Sequence, residues 1–211
     1  MTALTRLPAL KIEENRITKG VLIKYTDNVG WHRHDGVKLR PDAQLLVLLT
    51  TRALMRWQDR VPEVIVQQPG AELPDVDELN EQIPRPWPIG LDGKESPPWK
   101  KEFVAYLLDF VELMILTFHN NTIGAVRCVC GLEDRWDLAR AFYGADVMPL
   151  VKLGEAPFPT SYGMRKRPIF EIDGWRRFTD GALRVADQRT TALEVVEPKT
   201  LAEVTGDTVP Y

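Results

Sequence analysis

Apolar residues recur along this chain at two spacings, and those spacings divide it into elements. Ile17 to Tyr25 (ITKGVLIKY) carries the β-branched and aromatic side chains of a strand. Asp27-Asn28 and Gly30 mark a turn after it, and Asp35-Gly36 marks another beyond Trp31-His32-Arg33-His34. Gln44 to Thr51 (QLLVLLTT) is a continuous apolar run of strand length, which implies burial on both faces; the same run also suits a helix continuing through Met55. Val64-Ile65-Val66 predicts a short strand. Phe103 to Asp109 and Leu113 to His119 predict a hairpin turning at Phe110–Glu112. Val147–Leu153 and Pro168–Trp175 read as two further strands.

One segment switches to helical spacing. Ile123, Val126, Val129 (or Cys130), Leu132, Trp136, Ala139 and Phe142 recur every three to four residues, with charged residues between them. Asn121-Thr122 supplies a cap and Gly144 a stop, so the predicted helix covers 123–143. Gly131 weakens it, since a mid-helix glycine costs about 1 kcal/mol relative to alanine. Residues 67–99 break the pattern with seven prolines, and only Asp75 to Gln82 suggests a short acidic helix there. This stretch reads as a long insertion packed by Trp87 and Trp99. The expected organisation is a flexible arm over 1–14, one domain over 15–180 with the insertion at 67–100, and a disordered acidic tail over 181–211. The element order is that of a mainly β fold with one principal helix. It matches a five-stranded, partly open barrel with its helix between the third and fourth strands, the oligonucleotide-binding (OB) fold, here with a β-hairpin extension.

Charge changes the picture more than composition does. The 211 residues are 44% hydrophobic, enough for a core, with a formal charge of −3. Residues 61–100 hold eight acids against three bases, and 191–211 hold four acids against one base, so the remainder is net basic. The basic character peaks between Met148 and Phe178, where six cations face three anions and are interleaved with Phe158, Tyr162, Phe170, Trp175 and Phe178. This predicts a long β-hairpin with a mobile, cationic tip. Cations neutralise phosphates and aromatic faces stack on unpaired bases. The candidate stacking residues are Trp31, Trp57, Phe158, Tyr162 and Trp175. The candidate phosphate contacts are Arg33, Lys38, Arg52, Arg56, Arg165, Lys166, Arg167 and Arg176.

The last residues, Asp207-Thr208-Val209-Pro210-Tyr211, follow a polar, acidic stretch. They resemble the C-terminal tip of bacterial single-stranded DNA-binding proteins, an aspartate-rich run ending in Ile-Pro-Phe. Val209 stands for the isoleucine, Tyr211 for the phenylalanine, and only one aspartate precedes them. The resemblance implies that Tyr211 enters an apolar pocket on a partner enzyme with Val209 and Pro210 beside it, and that Glu203 and Asp207 add acidic contacts. The runs GMRKRPIFEIDGW and GLDGKESPPW are similar to segments of phage and prophage proteins of this size. The resemblance thus implies a divergent, phage-type protein of DNA replication, recombination or repair.

Other chemistry finds little purchase. GxxxxGK[ST] and GxSxG are absent, and Asp75, Asp77, Glu78 and Glu81 lack the spaced acidic partner and lysine of a nuclease, so no enzyme is expected. His32 and His34 share a strand face beside Asp35, but only His119 lies elsewhere, and no metal or other cofactor is expected. Cys128 and Cys130 point about 200° apart on a helix and read as free core thiols of a reducing compartment. No run suits a signal peptide or a membrane span, so the expected location is cytoplasmic. The leading expectation is single-stranded DNA binding and protection, with partner proteins recruited by the tip and self-association left open. The alternatives are a virion or prophage interaction module, and then a metal-dependent nuclease.

Overall fold

The computed structural model describes residues 10–90, 93–161, 163–179 and 182–186. Within them the chain is mainly β. Its strands are β1 (Val21–Thr26), β2 (Gly30–Arg33), β3 (Leu45–Gln58), β4 (Val61–Val66), β5 (Lys100–Asp109), β6 (Met114–Asn120), β7 (Met148–Thr160), β8 (Gly163–Thr179) and β9 (Ala182–Val185). Helix α1 spans Val76–Glu81 and helix α2 spans Ile123–Tyr143.

β3 is the spine. Its apolar run forms a strand throughout, not a helix, because three neighbours divide its edges. β5 pairs antiparallel along most of it, from Leu45↔Asp109 to Met55↔Lys100. β7 takes the other edge at Leu45 and Leu46, and β4 takes it from Ala53 to Gln58. A register shift between Val47 and Leu49 inserts a bulge. A bulge re-aims the side chains that follow it. Leu45 and Val47 therefore face one core, and Ala53 and Met55 face another. That double duty is why the run lacks alternation.

The sheet order is β2-β1-β6-β5-β3-β7-β8-β9, with β4 on β3. The five-stranded barrel expected from sequence is replaced by a nine-stranded open sheet, and no ladder joins its outer strands among the described residues. β1 occupies the free edge of β6 in parallel, Val21↔Leu116 to Ile23↔Phe118. The sheet nevertheless curls. Trp31 on β2 stacks on Phe170 of β8 at 5.6 Å and meets Phe118 of β6 edge-on at 5.0 Å. Its Nε1–H donates to the Gly154 carbonyl of β7 at 2.8 Å. Side chains, not backbone pairing, bring the two limbs of the sheet together.

α2 covers the inner face, burying Gly124, Ala125, Cys128, Val129, Leu132, Trp136 and Ala139. Its bounds match the sequence expectation, but its buried face is turned. Ile123 and Phe142, expected in the core, are 65% and 56% exposed. Small residues take the inward positions because the helix lies close to β8: a Cβ on Gly124 would sit 3.0 Å from the Arg167 Cβ. On the opposite face Leu10, Ile12 and Ile17 pack with Val66, Val104 and Tyr106. In the insertion, Asn80 and Trp99 exchange hydrogen bonds of 3.1 and 2.8 Å between side chain and backbone. The segments expected to connect β7 and β8 loosely are strand instead, paired out to Thr160↔Gly163. β9 lies beyond the predicted end of the β structure.

A Cβ at Gly131 meets nothing within 4 Å. Gly131→Ala is therefore expected to raise stability by about 0.5–1 kcal/mol. Gly20 has φ +65 and its Cβ would strike the Ile115 carbonyl. Gly20→Ala is expected to lower stability, and urea unfolding of the two variants measures both signs.

Candidate nucleic-acid interface

The tip of the β7–β8 hairpin gathers three of the predicted residues. Phe158 pairs with Arg165 across the hairpin, and Ala156 with Arg167. Cross-strand partners share a face of the sheet, as do residues two apart, so Phe158, Arg165 and Arg167 lie together. The first turn of α2 lies against them through Gly124. Arg127, one turn further on, sets its guanidinium 5.2 Å from the Phe158 ring centroid. Hairpin, helix and β1 enclose a depression of about 410 Å³ whose walls include Tyr25, Phe118, Asn120, Ile123, Phe158 and Arg167.

Acids hold part of this cationic set. The Asp27 carboxylate accepts the Lys166 backbone N–H at 2.8 Å and lies 3.5 Å from Arg165. The Lys166 ammonium pairs with Glu155, which also accepts the Tyr25 hydroxyl at 3.3 Å. Burial, followed by the nearby Glu155 carboxylate, pushes the Tyr25 phenol up to about 12, so it remains a donor at neutral pH. The hydrogen bond and charge of Glu155 also raise Lys166. Arg127 and Arg167 have no acidic partner among the described residues.

A second group lies on the other side of the β6–α2 junction. Trp57, near the end of β3, is 65% exposed. It borders a depression of about 310 Å³ shared with Met55, Ile89, Pro97, Lys100 and Asn121. Asn120 and Thr122 line the first depression and Asn121 the second, so a three-residue junction separates them. Arg56 reaches Glu63 at 2.6 Å and covers the Trp99 ring at 4.9 Å.

The remaining predicted residues have other surroundings. Trp31 is buried in the core described above, with 8% exposure. Arg52 pairs through both guanidinium arms with Glu133 of α2 and covers Phe103 at 4.3 Å. Burial alone would lower its pKa, but Glu133 outweighs that and raises it. Trp175 stacks on Tyr143 at 6.2 Å, and Arg176 donates to the Trp175 carbonyl. Arg33 pairs with Asp35 at 3.2 Å, and Lys38 bridges to His32 at the β2 edge. Tyr162, Glu203, Asp207, Val209, Pro210 and Tyr211 lie outside the described residues.

Sequence reasoning placed Arg127 among the polar residues of the helix and gave Tyr25 and Asp27 no role. The one available signal was Arg127 lying three residues beyond Gly124, one turn along the same face. Of the residues weighed for a metal, His119 lies 3.2 Å from Glu102, and His32 contacts the Gly30 carbonyl. Among the described residues no three His, Cys, Asp or Glu side chains come together as a metal site would require. Burial pushes the Cys128 thiol up to about 12, and Cys130 sits 3.7 Å from Arg52. No described helix is long and apolar enough to cross a membrane. Comparison with protein-family models, curated proteins and solved structures finds no match to this chain.

The two tryptophans separate cleanly by experiment. Trp31→Ala is expected to cost about 3–5 kcal/mol in urea unfolding, as for other buried aromatics. Trp57→Ala is expected to change stability by no more than about 0.5 kcal/mol.

Tyr106 is also pushed up to about 12, by burial and then by Glu13. Both raised values favour the protonated fold. The resulting stability is complete below the ordinary tyrosine pKa near 10 and is lost as pH rises towards about 12. At pH about 11 Tyr25 and Tyr106 are expected to stay protonated in the folded chain, and Tyr25→Phe should shrink the rise in tyrosinate absorbance that accompanies unfolding at that pH by about one tyrosine.

Proposed function

We propose that this chain binds single-stranded DNA and protects it during replication, recombination or repair, without catalysing a reaction. The observation that carries the reading is the grouping of Phe158, Arg165, Lys166 and Arg167 in the wall of one depression, with Arg127 beside the Phe158 ring; of these four cations, Arg127 and Arg167 have no acid among the described residues. A polynucleotide presents phosphates and flat apolar rings at short intervals, and this surface offers a partner for each.

The connectivity supports the reading. β3, β5 and β6, then α2, then β7 and β8, reproduce five strands with a helix between the third and fourth. We propose that these five form an OB-type core, with β1, β2, β4 and β9 added to it. In that fold the connections between strands one and two and between strands four and five bind oligonucleotides. Here those connections are the segment between β3 and β5, beside Trp57, and the β7–β8 hairpin. The strand would then run from the hairpin tip past Asn120–Thr122 to Trp57. The C-terminal tip, with Tyr211 at its end, would recruit partner enzymes of replication or recombination in a phage or prophage setting.

Anisotropy titration with labelled poly-dT tests this. Four phosphate contacts give a slope of about −3 in log affinity against log salt, a loss of about fiftyfold between about 50 and about 200 mM. Replacing Arg165, Lys166 and Arg167 together by Gln is expected to flatten that slope by about 2. Absence of binding at low salt, or binding indifferent to salt, counts against the proposal.

A second reading draws on the outer edge of β9, which carries no ladder among the described residues, since unpaired strand edges are templates for assembly. It makes the chain a virion or prophage assembly module. Defined higher oligomers in light scattering, with no retention of DNA, would favour it.

A further inference from the structure

We propose that the depression between the β7–β8 hairpin and α2 is a subsite for one nucleotide of an unpaired strand, with its phosphate on Arg127 and Arg167 and its base on Phe158. This rests on the strand-binding reading above and adds a location, a stoichiometry and a requirement for unpaired bases. Three observations carry it.

The first is size and lining. A volume of about 410 Å³ lies in the range of small-ligand pockets, roughly 300–1,000 Å³. Tyr25, Phe118, Ile123, Ala125 and Pro168 give it apolar walls that a bare phosphate would not use. A base held in a duplex cannot enter such a pocket without leaving its stack.

The second is the placement of charge. Arg165 and Lys166 are already matched by Asp27 and Glu155. Arg127 and Arg167 lie on two different elements, both contacting the hairpin tip or the helix turn it packs on, and neither has an acid. A phosphate that both reach gains two charge-assisted contacts without displacing an acid, since Arg167 otherwise donates only to the Pro168 carbonyl, at 3.4 Å.

The third is the ring. Phe158 is partly exposed and carries the Arg127 guanidinium on it. A ring with a cation poised beside it suits a nucleotide, which brings a π-face and an anion on one short tether. Asp27 is the one acid in the wall, and it is tied to the Lys166 N–H and to Arg165.

The test uses the full chain and three probes followed by NMR: dAMP, deoxyadenosine and inorganic phosphate. The Gly124 amide is the reporter, because it lies in the wall. Expected is saturable binding of dAMP, with deoxyadenosine and phosphate each weaker by at least about tenfold. Phe158→Ala is expected to weaken dAMP by at least about fivefold. Arg127→Gln is expected to bring dAMP close to deoxyadenosine, and circular dichroism melting checks that each variant folds. Phosphate binding equal to dAMP overturns the nucleotide subsite and leaves only an anion site. Retained poly-dT binding, with dAMP silent at Gly124 or indifferent to both variants, overturns the subsite while the strand-binding reading survives. Loss of all binding, to poly-dT and dAMP alike in the wild-type chain, overturns both.

Discussion

Everything in this fold depends on how an open sheet is made to curl without a ladder to close it. Trp31 is the answer. Its indole stacks on Phe170 and meets Phe118 and Tyr25 edge-on, while its N–H is bonded to the Gly154 carbonyl. One side chain therefore ties β2 to β6 and to β7 and β8, the last two far from it in the strand order. A buried indole must satisfy its single donor or forfeit the value of that burial. The seam also brings Asp27 and Tyr25 against the hairpin, where they meet Arg165, Lys166 and Glu155. Core packing and the charge pattern at the surface are thus consequences of the same contact.

The spine strand makes the complementary contribution. The bulge at Val47–Leu49 lets β3 serve the α2-covered core with its first half and the outer apolar layer with its second. The outer layer fixes the approach of residues 10–17 through the Tyr106 hydroxyl, which donates to the Ile17 carbonyl at 2.8 Å. β1 follows directly, and its parallel pairing with β6 is reinforced by hydrogen bonds of the Thr117 hydroxyl with the Lys19 backbone. Order at β1 then delivers β2, and with it Trp31.

What the sequence showed and what it hid follow from these same features. The limits of α2 were legible because Thr122 and Gly144 bracket it: Thr122 holds the N-cap position, though without a side-chain hydrogen bond, and Gly144 ends the helix at φ 98. Its buried face was not, because Gly124, Ala125 and Cys128 carry little hydrophobic signal, yet close approach to β8 demands small residues. The hairpin was read as two short strands because Pro157 and Pro159 look like breakers. They lie two apart, so their missing N–H groups fall on one edge of β7, away from β8, where β3 reaches only Leu150 and Val151. β2 and β9 are four residues each, too short for any periodicity to register. The same limits shaped the site. Cations and aromatics of the hairpin were visible as a local cluster, but Trp31 and Arg52 looked identical to them in sequence. Only tertiary contact separates an arginine held by Glu133 from one left without an acid, such as Arg127.

That separation decides how a polyanion would be received in the proposed interface. Exposed ion pairs contribute little to stability, about 0–1 kcal/mol each, because both charges are already well solvated. Arg165 and Lys166 are more than half exposed at the side chain, so exchanging Asp27 or Glu155 for a phosphate costs little. The exchange also gains little, since one anion replaces another. Arg127 and Arg167 are different: a phosphate arriving there adds an attraction the apo protein does not have. The net electrostatic drive therefore comes from the two unmatched cations, while the matched pair adjusts around it. The carboxylates have a second effect. They lower the positive potential of the empty tip, and so disfavour polyanions that offer charge without a base to stack on Phe158. An interface of this kind draws its selectivity from the ring and its affinity from the unmatched arginines, and the seam at Trp31 keeps the hairpin and β1 limbs in register around both.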